Sequence, residues 1–261
     1  MSRVLVTNDD GIDAPGLRAL ARAAVEAGHD VTVAAPARPS SGTSASIVAS
    51  EEDGRIIVER RTLESLQEVP AFAVHGGPGL IALIAARGAF GENAEVVLSG
   101  VNHGANVGRA ILHSGTVGAA LTAGLNGAWA AAVSSDVGMS PSEFHWDTAA
   151  EAAMQQLGML LSHPRGTVIN INVPNTGSYR GFVEARLAPF GIVQTTLTEA
   201  GEHHIRLAVE DLPNVPEAGT DAAYLADGWV TVTGLEGVSH VPLHIAHADR
   251  SGPNTRDGEN V

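Results

Sequence analysis

The stretch Val4-Leu5-Val6-Thr7-Asn8-Asp9-Asp10-Gly11-Ile12-Asp13 decides the fold. An apolar, β-branched run that stops in polar residues and a Gly turn reads as a buried strand, the first of a parallel sheet. Downstream, Leu17, Leu20, Ala21, Ala24 and Val25 recur at helical spacing across residues 14 to 27. Asp13 is the expected N-cap, Pro15 sits in the first turn and Gly28 falls just past the end. Val31 to Ala35 reads as the next strand, so residues 4 to 35 form a right-handed, parallel βαβ unit. Ligands of such sheets collect at the carboxyl ends of the strands, which is where Asp9 and Asp10 fall. Neighbouring carboxylates repel unless a cation or a proton compensates them. Asp also favours turns and helix starts for local reasons, and on this stretch alone both readings stand.

The alternation continues along the chain. Leu80 to Ala86 reads as a helix, Glu95 to Leu98 as a buried strand and Ser99 to Gly108 as a polar, Gly-rich loop. Val117 to Leu125 reads as a small-residue helix, Ala130 to Ser134 as a strand and Asp147 to Leu161 as a long amphipathic helix. In Thr167 to Val173, Ile169 and Ile171 face opposite to Asn170 and Asn172. Glu51 to Val69 mixes charges with Ile56, Ile57 and Val58 and suits a surface hairpin; past about residue 175 only short strands such as His204 to Val209 and Trp229 to Thr233 stand out. The expected fold is α/β, Rossmann-like and doubly wound, with a mostly parallel sheet and a C-terminal β-hairpin or arm. One domain over 1–261 is expected, with a projecting arm at about 195–226 and a flexible polar tail at 249–261.

Composition narrows the chemistry. A chain of 261 residues with 44% hydrophobic content can bury a full core. With 15 basic and 29 acidic side chains the net charge is −14, which repels a nucleic-acid duplex or an anionic membrane. Backbone amides and a bound cation still give a small anionic substrate a local positive site. The absence of cysteine excludes disulfides, zinc-thiolate sites and cysteine nucleophiles. Cytoplasm is the expected compartment, since Asn8 to Gly11 interrupt any N-terminal signal region and no stretch approaches the roughly 18 apolar residues of a membrane helix.

The loops Asn8-Asp9-Asp10-Gly11, Ser40-Ser41-Gly42-Thr43-Ser44 and Ser99 to Asn106 each follow a strand and converge on one edge. Their polar groups are oxygen donors, the set that magnesium and manganese prefer. His113-Ser114-Gly115-Thr116-Val117 opens a helix with amides and hydroxyls that suit a phosphate. The eleven histidines are scattered without His-Glu-x-x-His spacing, and His203 and His204 fall on an exposed hairpin. His103 and His113 lie within the site loops, where each is either a solvent-facing residue or an acid for a leaving group. His75-Gly76-Gly77-Pro78-Gly79 looks like an oxyanion loop, but the Gly-x-Ser-x-Gly elbow of a serine hydrolase is absent. Gly104 to Gly108 likewise falls short of a full dinucleotide Gly-x-Gly-x-x-Gly.

Thr7-Asn8-Asp9-Asp10-Gly11, Ala14-Pro15-Gly16, Ala35-Pro36, Ser41-Gly42, Ser99-Gly100-Val101-Asn102, Gly104, Asn106, Gly108 and Ser114-Gly115-Thr116-Val117 together resemble the SurE family of survival proteins. The resemblance extends to Asn170-Ile171-Asn172-Val173-Pro174 and Gly219-Thr220-Asp221, and is weakest from about 50 to 94. It implies a metal-dependent 5'/3'-nucleotidase, a phosphoric monoester hydrolase on a Rossmann-like core, assembled as a homodimer or homotetramer through an exchanged C-terminal arm. It implies that Asp9, Asp10, Ser41 and Asn102 ligate one divalent cation per subunit, Mg2+ or Mn2+, and that Asp9 or Asp10 orients or deprotonates the attacking water. It further implies that Asn8, Gly42, Asn106, Ser114, Gly115 and Thr116 line the phosphate pocket. The implied substrate is a nucleoside 5'- or 3'-monophosphate; a broad small-molecule phosphatase and an inactive nucleotide-binding homologue are the alternatives.

Several positions depart from the family pattern. Ala37 stands where relatives carry Asp, and Arg38-Pro39-Ser40 replaces an Asn-containing turn. The usual Thr-Pro-Ala-Asp-Cys-Val stretch reads Gly76-Gly77-Pro78-Gly79-Leu80-Ile81, His113 replaces a Tyr, and Thr122 a Glu. A divergent member with an altered substrate or rate is the expectation.

Overall fold

The computed structural model describes residues 1–50, 53–138, 141–189 and 216–242 with their side chains, and the backbone alone of 51–52, 193–200 and 205–211. The first half runs β1 (Arg3–Thr7), α1 (Pro15–Glu26), β2 (Asp30–Pro36), β3 (Glu51–Glu52), β4 (Arg55–Ile56), β5 (Val58–Leu63), β6 (Leu66–Val74), α2 (Pro78–Ala85) and β7 (Val96–His103). A short 3-10 turn, Gly108–His113, leads into α3 (Gly115–Leu125), β8 (Trp129–Asp136), α4 (Trp146–Leu161), β9 (Val168–Pro174) and β10 (Phe182–Glu184). The chain continues through β11 (Val193–Ala200), β12 (Ile205–Asp211), α5 (Asp221–Ala226) and β13 (Val230–Leu235).

The main sheet has nine strands in the order β10-β13-β9-β8-β7-β1-β2-β6-β5. From β9 through β6 every neighbouring pair is parallel, while β5 on one flank and β13 on the other run antiparallel. Residues of β1 alternate between the two faces: Val4 and Val6 join Leu17, Leu20 and Leu98 in the core under α1 and α4, and Leu5 joins Val97, Ile81 and Val117 under α2 and α3. Both faces are therefore buried, which is why the strands read as continuous apolar runs. From β1 the chain moves outward through β2 to β6, then returns to β7 on the other side of β1. That reversal opens a crevice at the carboxyl ends of β1 and β7, between the residues following Thr7 and those around Asn102.

Four local expectations change. Asp13 does not cap α1: Ala14 is the N-cap, without a side-chain bond, because Arg61 of β5 takes the Asp13 carboxylate at 2.8 Å. Ser99 to His103 is strand, since β8 lies alongside and pairs Asn102 with Ser134 and His103 with Ser135 across a bulge. The charged stretch near residue 60 does form a hairpin, but its second arm continues to Val74 and joins the main sheet beside β2. The arm expected over 195–226 is shorter at its C-terminal end. β11 and β12 form a separate two-stranded antiparallel sheet, whereas residues 221–226 are helix, with Ala222 and Leu225 buried against Val107 and Ala188. Thr220 caps that helix through the Ala223 N–H, and Asp221 accepts from the Gly108 and Ala188 N–H groups, tying it to the body. His203, His204 and the tail at 249–261 lie outside the described residues. No helix among the described residues is long and apolar enough to cross a membrane.

Candidate active site

The acid pair owes its place to the turn after β1. Asn8 is fully buried, and its amide closes on one residue: Nδ2 donates to the Gly11 carbonyl and Oδ1 accepts the Gly11 N–H, each at 3.1 Å. The bracketed turn sends Asp9 and Asp10 to different neighbours. Asp9, 4% exposed, accepts the hydroxyl of Thr116 on Oδ1. Asp10 accepts the backbone N–H of His103 on Oδ2 at 3.1 Å. Burial pushes the Asp9 carboxyl above its ordinary value; the Thr116 hydroxyl works against that rise and the Asp10 charge adds to it.

The loop after β2 folds back over the acids. Ser40 donates its N–H to the Asp9 carbonyl at 2.8 Å, and Ser41 and Gly42, which follow it, are exposed. Thr43 donates to the Ser40 carbonyl at 2.8 Å and Ser44 to the Leu112 carbonyl at 2.6 Å. Two glycines of α3 make this approach possible. A Cβ on Gly115 would stand 2.9 Å from the Asp9 Oδ2 and 3.1 Å from the Thr43 Oγ1; one on Gly118 would stand 2.4 Å from the Ser44 carbonyl carbon. Helix N-terminus and loop thus meet at Asp9 and Thr43, with the positive end of the helix dipole at the junction and the Thr116 backbone N–H on the Asp9 carboxylate.

Not every expected residue reaches this junction. Asn106 donates its side chain to Ser134 at 2.8 Å and its N–H to Asn172 at 2.7 Å, and its carbonyl accepts from Asn170 and Asn172 at 2.8 Å. Asn8 and Asn106 therefore hold the loops through these bonds. The Ser114 hydroxyl is occupied as the cap of α3, accepting the Val117 N–H at 3.1 Å. Asn102 donates to the Gly104 carbonyl at 2.7 Å and keeps its side-chain carbonyl free. His113 is exposed, and Thr122 bonds within its helix to the Gly118 carbonyl.

Other contributors were missed from sequence. The fully buried Asn170 and Asn172 anchor the loop through Asn106, and the signal was there: polar residues alternating within a strand that is apolar on both sides need partners. Thr43 and the Phe144-His145-Trp146 run carried no such periodicity.

The donors fit a hard divalent cation. Among the described residues no group of three or more His, Cys, Asp and Glu side chains is placed to hold a metal, so a cation at this edge would need neutral oxygens beside Asp9 and Asp10. None of the ion pairs among the described residues involves Asp9 or Asp10. The Ser40 Oγ is buried beside them without a hydrogen-bond partner.

Comparison with known proteins agrees with this geometry. The family model for survival protein SurE matches residues 4–201. The 5'-nucleotidase SurE of Xanthomonas euvesicatoria pv. vesicatoria (strain 85-10) is 38% identical over 175 residues, 66% of this chain and 64% of that protein. The match thus spans a little under two thirds of that relative's length. The 5'-nucleotidase SurE of Stenotrophomonas maltophilia (strain R551-3) is 37% identical over 189 residues, 71% of this chain and 69% of that one. Among solved structures, the SurE protein from Aquifex aeolicus aligns with a TM-score of 0.71 at 26% identity, covering 89% of this chain and 92% of its own.

Proposed function

Because the chain belongs to the survival protein SurE family, we propose that it is a metal-dependent phosphomonoesterase that hydrolyses nucleoside 5'- or 3'-monophosphates to nucleoside and phosphate. The observation that supports this reading is the seating of the Asp9 carboxylate directly against the N-terminus of α3, with Asp10 next to it in the turn held by the His103 N–H. The names of the relatives support the substrate class.

Asp9, Asp10, Ser41 and Asn102 would hold one Mg2+ or Mn2+. When bound, such an ion neutralises phosphoryl charge and makes a bound water more acidic. The Gly115 amide takes the phosphate, aided by the helix dipole, while the Thr116 backbone N–H stays with the Asp9 carboxylate. Thr116 fixes the Asp9 carboxylate, and Asn8 and Asn106 fix the loops. Asp10 is less buried than Asp9, with one oxygen on His103 and the other free, so it orients the attacking water and accepts its proton. As the water oxygen bonds to phosphorus the ester P–O bond breaks, and the nucleoside oxygen takes a proton from solvent at the open side marked by Ser41 and Gly42.

Phosphate release from a panel of nucleoside monophosphates, with Mg2+, Mn2+ or EDTA, tests this. Release that requires the metal and disappears in Asp10→Asn at an unchanged unfolding temperature is expected; no release from any nucleotide refutes it. One observation favours a broader phosphatase: the small residues Ala37, Gly76 and Gly77 help line a cavity of about 370 Å3 beside Ser40 and Thr43. Faster turnover of sugar phosphates or p-nitrophenyl phosphate than of any nucleotide would establish that alternative. Self-association through the β11–β12 hairpin, as homodimer or homotetramer in the cytoplasm, belongs to the same proposal; a lone 26.8 kDa particle by light scattering refutes it.

A further inference from the structure

An aromatic shelf stands next to Asp10. The Phe144 and Trp146 rings stack with centroids 5.2 Å apart and planes 5° from parallel. The His103 ring packs on both, at 5.5 Å from Phe144 and 6.1 Å from Trp146. The chain has only five Phe, three Trp and two Tyr, so a stacked pair at this crevice uses a scarce residue class. His103 is the link to the chemistry, since its N–H bonds the Asp10 carboxylate while its ring touches the shelf.

The shelf is held open. The Asn175 side chain accepts the His145 N–H and donates to the Glu143 carbonyl, both at 2.8 Å, so the backbone is fixed on either side of Phe144. Trp146 is the first residue of α4, half-buried behind it. Phe144 is nevertheless 44% exposed. An aromatic face left in water forgoes the stabilisation of burial, which a stacking ligand recovers. Bases stack on such faces whatever their hydrogen-bonding pattern.

The geometry points to Phe144, backed by Trp146 and flanked by His103, as the face on which the nucleobase of the substrate stacks while its phosphate lies at Asp9, Asp10 and the start of α3. This rests on the nucleotidase reading for the phosphate end, and it makes Phe144 a specificity-determining residue. Binding by stacking predicts a preference for nucleotides over baseless phosphates, with purines above pyrimidines.

Equilibrium binding of adenosine 5'-monophosphate and of ribose 5-phosphate, with Mg2+ present, separates the shelf from turnover. In the unaltered protein the nucleotide binds more tightly. In Phe144→Ala the ratio of the two affinities falls about tenfold, the equivalent of ~1.4 kcal/mol. Phe144→Leu, which keeps an apolar side chain but removes the ring, falls alike, and Phe144→Tyr restores the ratio. An unaltered protein without preference overturns the proposal, as does a ratio that Phe144→Ala and Phe144→Leu leave intact. A ratio that falls with His75→Ala and stands with Phe144→Ala also overturns it, by moving the base to the cavity that His75 lines. Phosphate release is read separately: Phe144-dependent nucleotide binding without any release upholds the shelf and refutes the hydrolase, whereas release with an unchanged ratio does the reverse.

Discussion

Thr116→Val isolates the contact on which the acid pair turns. The substitution is close to isosteric and removes the hydroxyl that donates to Asp9, at a position where Thr116 is 0% and Asp9 4% exposed. A hydrogen bond to a charged group contributes about 1.5–3 kcal/mol, and water cannot easily replace this donor. Some backbone help to the carboxylate persists, so a loss of about 2 kcal/mol is expected, or ~4–8 °C in unfolding temperature for a chain of this size. The ionised carboxyl is the form that needs the donor, so the loss is larger at pH 7 than near pH 4. Metal binding reads the same contact. Partners that orient a ligand typically govern 10–100-fold of metal affinity, so the Mn2+ dissociation constant should rise by about that factor, while Thr116→Ser holds near the unaltered value. Thermal unfolding by circular dichroism in EDTA and titration with Mn2+ measure the two effects. A Thr116→Val protein that unfolds at the same temperature and binds Mn2+ unchanged refutes the assignment of Asp9 as a ligand held by Thr116.

Gly118→Ala puts a methyl 2.4 Å from the Ser44 backbone, so the loop over 40–50 must lift; phosphate release should fall at least tenfold and the loop become sensitive to limited proteolysis, with helical content unchanged. Asn172→Leu strips the Asn106 N–H of its partner, while the Asn106 carbonyl keeps Asn170, and should destabilise the protein by about 2 kcal/mol, seen as a lower denaturation midpoint in urea. Asp136 carries a carboxyl pushed up by burial, against which the Gly138 N–H acts. Its folded state holds the proton to higher pH than the unfolded chain, so stability falls as pH rises above the ordinary value of 3.8. Asp136→Asn should therefore unfold at a higher temperature than the unaltered protein at pH 8, by under ~1 kcal/mol for a half-buried group, with the gap closing near pH 4.

The helices and central strands were readable because each carries one dominant period. Val4 to Thr7 is apolar on both faces, and Leu17, Leu20 and Ala24 mark one stripe, so the βαβ unit and the crevice at its carboxyl edge followed from local pattern. The residues proposed for metal and phosphate stand out as oxygen-rich loops, and by resemblance, but their surroundings are not all alike. Asn8 and Asn106 look alike in a string of letters, yet the Asn8 side chain brackets the Gly11 backbone while that of Asn106 donates to the Ser134 hydroxyl and its backbone N–H to Asn172. Asp13 failed as a cap because Arg61, 48 positions away, outcompetes a local amide, a contest no window of sequence contains. Residues 221–226 were assigned to the arm for want of a long apolar period, when six residues fixed by Thr220 and Asp221 suffice to dock a helix. Phe144 and Trp146 acquired meaning only when β7 brought His103 beside them.

β13 lies between β9 and β10, two strands made before it, and the Asn106 loop is anchored from β9 and from Asp221 just upstream of β13. During synthesis, the half of the polypeptide that bears the carboxylates leaves the ribosome well ahead of the pieces that steady their surroundings. A nascent chain can begin to collapse around its first four parallel strands, yet the finished crevice must wait for the last inserted strand. Truncation before Asp221 removes one anchor of the Asn106 loop, so the crevice is completed late in the chain's own production.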